Sequence, residues 1–256
     1  MSNLLEGKCA LVLGIANRWS LAYAIAEAFR REGASLVLTY QSDRQREAVE
    51  ALGQELSAAH VFPCDVSQDH ELAQLAERIA AGPGRLDAVV HSIAFANRED
   101  LTRSFVETSR AGFNLAQEVS AYSLVAVART VAPLMTEGGS ITTLTYLGST
   151  RVITNYNVMG VAKAGLEASM RYLASDLGPK GIRVNAISAG PVKTASARAI
   201  KDFSSILDFV AQRAPLRRNT DPLEVADTAV FLASSLGRGV TGNVLYVDSG
   251  FQIMGL

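Results

Sequence analysis

Short runs of Val, Ile and Leu alternate with longer helical patterns throughout this chain, and that alternation limits its fold more than any other feature. The apolar runs fall at 9–13, 36–40, 60–64, 86–93, 140–145, 183–188 and 244–247 and are largely uncharged on both faces. Strands buried on both sides read this way, whereas half-solvated antiparallel strands alternate apolar and polar residues. Helical patterns at 21–31, 44–56, 71–80, 113–135, 156–177 and 223–234 lie between them. Connections of that length suit crossovers. A parallel sheet of about seven strands with helices on both faces is expected, a Rossmann-like, doubly wound α/β fold. Gly33 follows the first helical pattern, Gly178-Pro179 closes the fifth, and Asp221-Pro222 sets a capping residue and a proline before the last.

With 256 residues, 48% of them hydrophobic, the chain suits a single domain over 1–256. No Pro/Ser-rich linker, repeat or low-complexity stretch divides it. A net charge of -1 without charge blocks argues against a nucleic-acid surface or an anionic membrane as partner. There is no basic-then-apolar leader, and no apolar run approaches the roughly 20 residues that cross a bilayer, so a cytoplasmic protein is expected. Cys9 and Cys64 form no Cys-x-x-Cys pair, and His60, His70 and His91 lack ligand spacing, so buried thiols and no metal are expected. The loosest stretch, 193–214, follows the sixth strand and is expected to be a mobile substrate-binding segment, with an ordinary helical excursion as the alternative.

Tyr156 and Lys163 lie seven residues apart, two helical turns, so both side chains leave one face if the segment is helical. Tyrosine titrates near pH ~10, and a neighbouring ammonium favours its charged form, so the pair can stabilise negative charge on a substrate oxygen. Tyr146 stands ten residues upstream. The first apolar run ends at Gly14, and a helix begins near Ser20. There Gly14 allows a tight turn, and the N–H groups of Ser20 and Leu21 would meet a pyrophosphate at the positive helix end. The fingerprint G-x-G-x-x-G is absent, so a generic turn is the alternative. Gln41, at the end of the second strand, is neutral and suits the ribose hydroxyls of NADH, with Asp43 and Arg44 pulling in opposite directions. Asp65-Val66 would cap the adenine amine, and the small residues of Ser92-Ile93-Ala94 let the backbone approach a cofactor.

These residues resemble the short-chain dehydrogenase/reductase superfamily, and within it the NADH-dependent enoyl-acyl-carrier-protein reductases. The resemblance covers the Gly14 turn, Ser92-Ile93-Ala94-Phe95-Ala96, Tyr146, Tyr156, Lys163, the run from Arg183 through Asn185 to Pro191, and Val247-Asp248-Ser249-Gly250. Ordinary members carry Y-x3-K with a serine near position 146; here the spacing is Y-x6-K and the residue is tyrosine. The resemblance implies reduction of the double bond of a trans-2-enoyl thioester on acyl carrier protein, the last step of fatty-acid elongation. Hydride passes from NADH to the β-carbon while Tyr156 donates to the thioester oxygen, Lys163 holds the nicotinamide ribose, and Tyr146 shapes the pocket. It also implies that Gly14, Ser20, Leu21, Gln41, Asp65, Val66, Ser92, Ile93, Lys163, Val192 and Thr194 contact NADH (NAD+ after turnover). A homotetramer is implied too, as is steering of the acidic carrier by Arg198, Lys201, Arg217 and Arg218. Ala94 and Asn97 stand where the family often has glycine and proline. The competing readings are a 3-ketoacyl or other carbonyl reductase, which needs the missing serine, and a non-catalytic dinucleotide-binding protein.

Overall fold

The computed structural model describes residues 3–194 and 203–255. Seven strands form one all-parallel sheet: β1 (Cys9–Leu13), β2 (Ser35–Tyr40), β3 (His60–Pro63), β4 (Ala88–His91), β5 (Gly139–Thr145), β6 (Ile182–Ala189) and β7 (Val244–Val247). Their order is β3-β2-β1-β4-β5-β6-β7, so the chain winds outward from β1 in one direction and then, from β4, in the other. A cleft opens where the winding reverses, between the carboxyl ends of β1 and β4. Pairing there runs Ala10 to Ala88 through Leu13 to His91.

The strands are apolar on both faces because both faces are covered. On one side, Ala10, Val12, Leu36, Leu38, Val90 and Ile187 pack under α1 (Leu21–Arg31), α2 (Asp43–Glu55) and α9 (Pro222–Ala233). On the other, Leu11, Leu13, Val37, Val89 and Val184 meet α3 (Asp69–Ala81), α6 (Ser123–Val131) and α7 (Asn157–Leu177). Fully burying each Leu, Val or Ile side chain contributes about 1.5–3 kcal/mol, which makes the double cover the main source of stability. Asp221 caps α9 as expected: its side chain accepts from Leu223 N at 2.9 Å while Glu224 reaches back to Asp221 N at 2.9 Å. At the opposite rim of the sheet, buried Asp87 accepts from Cys9 N at 2.9 Å and pairs with Lys8 at 3.1 Å and Arg85 at 3.6 Å.

Two local readings of the sequence need correction. The helix expected at 113–135 begins earlier, as α5 (Arg110–Gln117), where Ser109 caps Gly112 N at 2.9 Å. A π-helical turn (Glu118–Tyr122) then joins it to α6. A short helix unforeseen in the sequence, α4 (Arg98–Thr102), follows β4. Of the 193–214 stretch, residues 195–202, Arg198 and Lys201 among them, lie outside the described residues, and with them the segment's role as a lid; the alternative of a helical excursion holds over 203–213, which is α8 (Phe203–Arg213), burying Leu207 and Val210. The two thiols are buried as expected, and burial pushes Cys9 up to about 11 and Cys64 up to about 12.

Candidate active site

Every strand of a parallel sheet ends on the same side, so residues far apart in sequence converge at that edge. Here they enclose a cavity of about 480 Å³. Its wall joins Gly14, Ser20 and Leu21 after β1, Ser92 and Ile93 after β4, Tyr146 after β5, Tyr156 and Lys163 at the start of α7, and Val192 and Thr194 after β6. The expected site residues outside this wall are Gln41, Asp65 and Val66. Val66 is a core residue, while Gln41 Nε2 donates to Asp65 Oδ2 at 3.1 Å across the ends of β2 and β3. Leu101 and Met159 add apolar wall that the motifs did not point to, Leu101 from a segment without helical periodicity in the sequence, and Phe203 adds more from the 193–214 stretch expected to meet substrate.

Gly14 is held at φ +95°. A Cβ there would sit 2.0 Å from the Ser92 carbonyl oxygen, so only glycine lets the backbone after β1 come this close to the backbone after β4. Ser20 caps α1, its hydroxyl accepting from Tyr23 N at 3.3 Å. Its own N–H is not free for a phosphate, contrary to expectation, because it donates to the Asn17 carbonyl at 3.1 Å. The Leu21 N–H, at the positive end of α1, still suits an anion. A dinucleotide fits this wall: a tight turn at the switch point, a helix terminus for its phosphates, and small residues that admit its backbone contacts.

Tyr146 and Tyr156 meet edge to face, ring centroids 5.0 Å apart and planes at 71°. Tyr156 is the N-cap of α7, not a residue within it. Both neighbours, Asn155 at φ +63° and Asn157 at φ +39°, adopt left-handed backbone that asparagine tolerates better than most residues. Asn157 Nδ2 also donates to the carbonyls of Leu101 at 3.3 Å and Arg103 at 2.7 Å, tying α7 to the α4 segment. Such backbone accumulates where a side chain must be aimed rather than merely packed.

The charges differ from the simple picture of an ammonium acidifying a phenol. Burial pushes the Tyr156 hydroxyl well above its ordinary range, with Tyr146 and Glu167 adding to the effect. Burial also takes Tyr146 up to about 12. Both phenols are therefore neutral donors near pH 7. Lys163 Nζ donates to the Leu144 carbonyl at 2.7 Å rather than to either phenol. Burial draws Lys163 itself down to about 8, partly offset by Glu167. His91 is structural: its nitrogens meet Thr143 Oγ1 at 3.0 Å and Ser123 Oγ at 2.8 Å, and burial with Lys163 nearby lowers it to about 3. Among the described residues no His, Cys, Asp and Glu cluster suits a metal, and no helix is long and apolar enough to cross a membrane.

A family profile described as "Enoyl-(Acyl carrier protein) reductase" matches residues 14–252. The chain is 56% identical over 254 residues to the NADH enoyl-[acyl-carrier-protein] reductase FabI of Bacillus cereus, covering 98% of this chain and 99% of that one. It is 51% identical over 250 residues to the NADPH enzyme of Staphylococcus aureus (strain MRSA252), covering 97% and 98%. A crystal structure of the Bacillus cereus reductase with NADP+ and indole naphthyridinone superposes with a TM-score of 0.98 at 55% identity, covering 100% of both chains. The Anaplasma phagocytophilum reductase in complex with NAD gives 0.96 at 43% identity, covering 100% of this chain and 96% of that one. The chain belongs to the enoyl-acyl-carrier-protein reductase family of short-chain dehydrogenase/reductases.

Proposed function

We propose that this chain reduces the double bond of trans-2-enoyl thioesters carried on acyl carrier protein with NADH, the last step of fatty-acid elongation, in the cytoplasm and as a homotetramer. The observation that carries this reading is the convergence of Tyr146, Tyr156 and Lys163 in one apolar cavity at the carboxyl edge of the sheet. Gly14, Leu21, Ser92, Ile93, Val192 and Thr194 hold the cofactor, with Lys163 on a ribose hydroxyl, while Gln41, Asp65 and Val66 meet the adenosine end. Bound NADH supplies the hydride that the substrate's β-carbon takes up. Tyr156 donates a hydrogen bond to the thioester carbonyl oxygen as negative charge gathers there, and the resulting enolate then takes up a proton at its α-carbon. A neutral phenol in a dry wall is suited to this, since a preorganised donor in low dielectric stabilises developing charge strongly. Tyr146 packs on the Tyr156 ring and fixes its direction, and Leu101, Met159 and Phe203 keep water from the acyl group. For the tetramer, the support is the exposed Phe113, Tyr122, Val161 and Tyr172 along α5, the π turn and α7.

Of the four cations expected to steer the carrier, the two described ones already have partners within the chain. Arg218 is paired with Glu224 through both carboxylate oxygens, at 2.9 and 2.5 Å, and Arg217 donates to the Gln212 carbonyl.

The choice of NADH rests on Asp65. Burial works against its carboxylate, yet the N–H and hydroxyl of Ser67 and the Gln41 amide hold it below the usual range. That negative charge beside Gln41 opposes a 2'-phosphate. Following cofactor absorbance with a 2-enoyl and a 3-ketoacyl thioester, the expected result is turnover of the enoyl substrate alone. NADH should exceed NADPH in kcat/KM by at least ~10-fold, one like-charge contact of about 1.4 kcal/mol. Turnover of the ketoacyl substrate instead points to a carbonyl reductase, no turnover despite NADH binding to a non-catalytic protein, and an NADPH preference sinks the Asp65 argument.

Lys163 sets a pH dependence. Its proton-bound form dominates below about 8 and is progressively lost above it, because burial lowers its affinity for the proton relative to a free lysine. Calorimetric titration is expected to show NADH affinity steady from pH 6 to 7.5 and falling toward a limit of about tenfold per pH unit above 8. A flat profile to pH 9.5 would rule out the ammonium as a cofactor ligand.

A further inference from the structure

Glu167 lies one helical turn beyond Lys163 on α7, is 5% exposed, and stands behind the cavity rather than in its wall. A glutamate seldom reaches that depth without a partner, since taking its charge out of water is costly. Thr145 Oγ1 donates to its Oε1 at 2.6 Å, and Thr145 is itself part of the cavity wall. The preceding residue, Leu144, supplies the carbonyl that accepts from Lys163 Nζ at 2.7 Å. Two consecutive residues of β5 thus hold two residues of α7 spaced four apart, one through a carbonyl and one through a hydroxyl. The ammonium's hydrogen bond goes to the carbonyl and not to the carboxylate, which leaves its other N–H donors for a ligand hydroxyl.

We infer that Glu167 is a positioning residue acting through Lys163: a counter-charge clamped by Thr145 that sustains an ammonium facing the cavity without covering it. This rests on the reading above, in which Lys163 holds the cofactor. The other titratable groups around Lys163 are Tyr156 at the start of α7, Tyr146 beyond β5 and His91 on β4, with Asp248 after β7 acting on Tyr146. His91, at about 3, and Tyr146, at about 12, do not titrate between pH 6 and 9, and Tyr156 lies higher still. Burial raises Asp248, but the N–H groups of Gly250 at 3.0 Å and Gln252 at 2.8 Å support its ionised form. Glu167 works against the burial that depresses Lys163, so its removal should let the proton leave sooner.

The test is NADH binding from pH 6 to 9.5 for the wild type, Glu167→Gln, Thr145→Val and Lys163→Met. Glu167→Gln keeps shape and an acceptor for Thr145 but removes the charge. Its alkaline limb is expected about one unit lower, giving ~5- to 10-fold weaker binding at pH 8.5 and less than ~2-fold at pH 6. Thr145→Val should move the limb the same way by less, and it serves alone if Glu167→Gln does not fold. Glu167→Asp should restore part of the limb. A folded Glu167→Gln, or failing that Thr145→Val, with the wild-type limb overturns the inference, as does equal weakening at every pH. Lys163→Met separates the two readings. If it loses the limb while Glu167→Gln keeps it, only the role of Glu167 fails; if it binds NADH with an unchanged limb, the assignment of Lys163 fails.

Discussion

Tyr156→Phe should lower kcat for a 2-enoyl thioester at least ~10-fold, ~1.4 kcal/mol of barrier, while NADH affinity changes less than ~2-fold. The split follows from geometry. Phenylalanine preserves the ring that meets Tyr146 edge to face, and with it the cavity wall, so cofactor binding has little to lose. What disappears is the hydrogen-bond donor to an oxygen that becomes electron-rich only as hydride arrives. Stopped-flow kinetics at saturating NADH would measure the step. An unchanged rate would show that the phenol donates to nothing that matters in the transition state.

Gly14→Ala should weaken both folding and cofactor binding. Left-handed backbone costs a residue with a side chain roughly 1–2 kcal/mol. The added methyl, 2.0 Å from the Ser92 carbonyl oxygen and 2.7 Å from its carbon, must also displace backbone. Overpacking of that kind costs about 1–3 kcal/mol, so a total of about 2–5 kcal/mol is expected in urea unfolding, with NADH binding largely lost. Gly84→Ala is the control, since Gly84 has φ +79° but a methyl there meets nothing within 4 Å. It should show the backbone part alone. Equal losses in the two variants would mean that the closeness of β1 and β4 at the cleft does not matter.

The fold was legible because a parallel sheet covered on both sides forces uninterrupted apolar runs, and β1, β7 and α1 begin and end where the residue pattern indicates. Boundaries blurred within continuous patterns, and the Ser109 cap of α5 stands four residues before the apolar pattern begins. The π turn at Glu118–Tyr122 inserts into a stretch whose periodicity looks continuous, and α4 is too short to show a period. The members of the site that sit on strand ends and the α7 face were legible for the same reason, since topology places them together. The charges were not. Spacing put Lys163 beside Tyr156, but the Leu144 carbonyl that takes the ammonium's bond is 19 positions earlier, and only tertiary packing brings it there. Glu167 and Thr145, 22 positions apart, carry no shared motif. Asn155 and Asn157 read as ordinary loop residues until their backbone angles are seen.

The cavity lined by Tyr146, Tyr156 and Lys163 opens at one rim of the sheet, and Asp87 with Lys8, Arg85 and the Cys9 N–H occupies the other. Heat tolerance and turnover can therefore be tuned separately in this molecule. Redesign of the Asp87 ion-pair cluster at the strands' starting edge is expected to alter how firmly the scaffold holds together, a whole strand length away from the cavity.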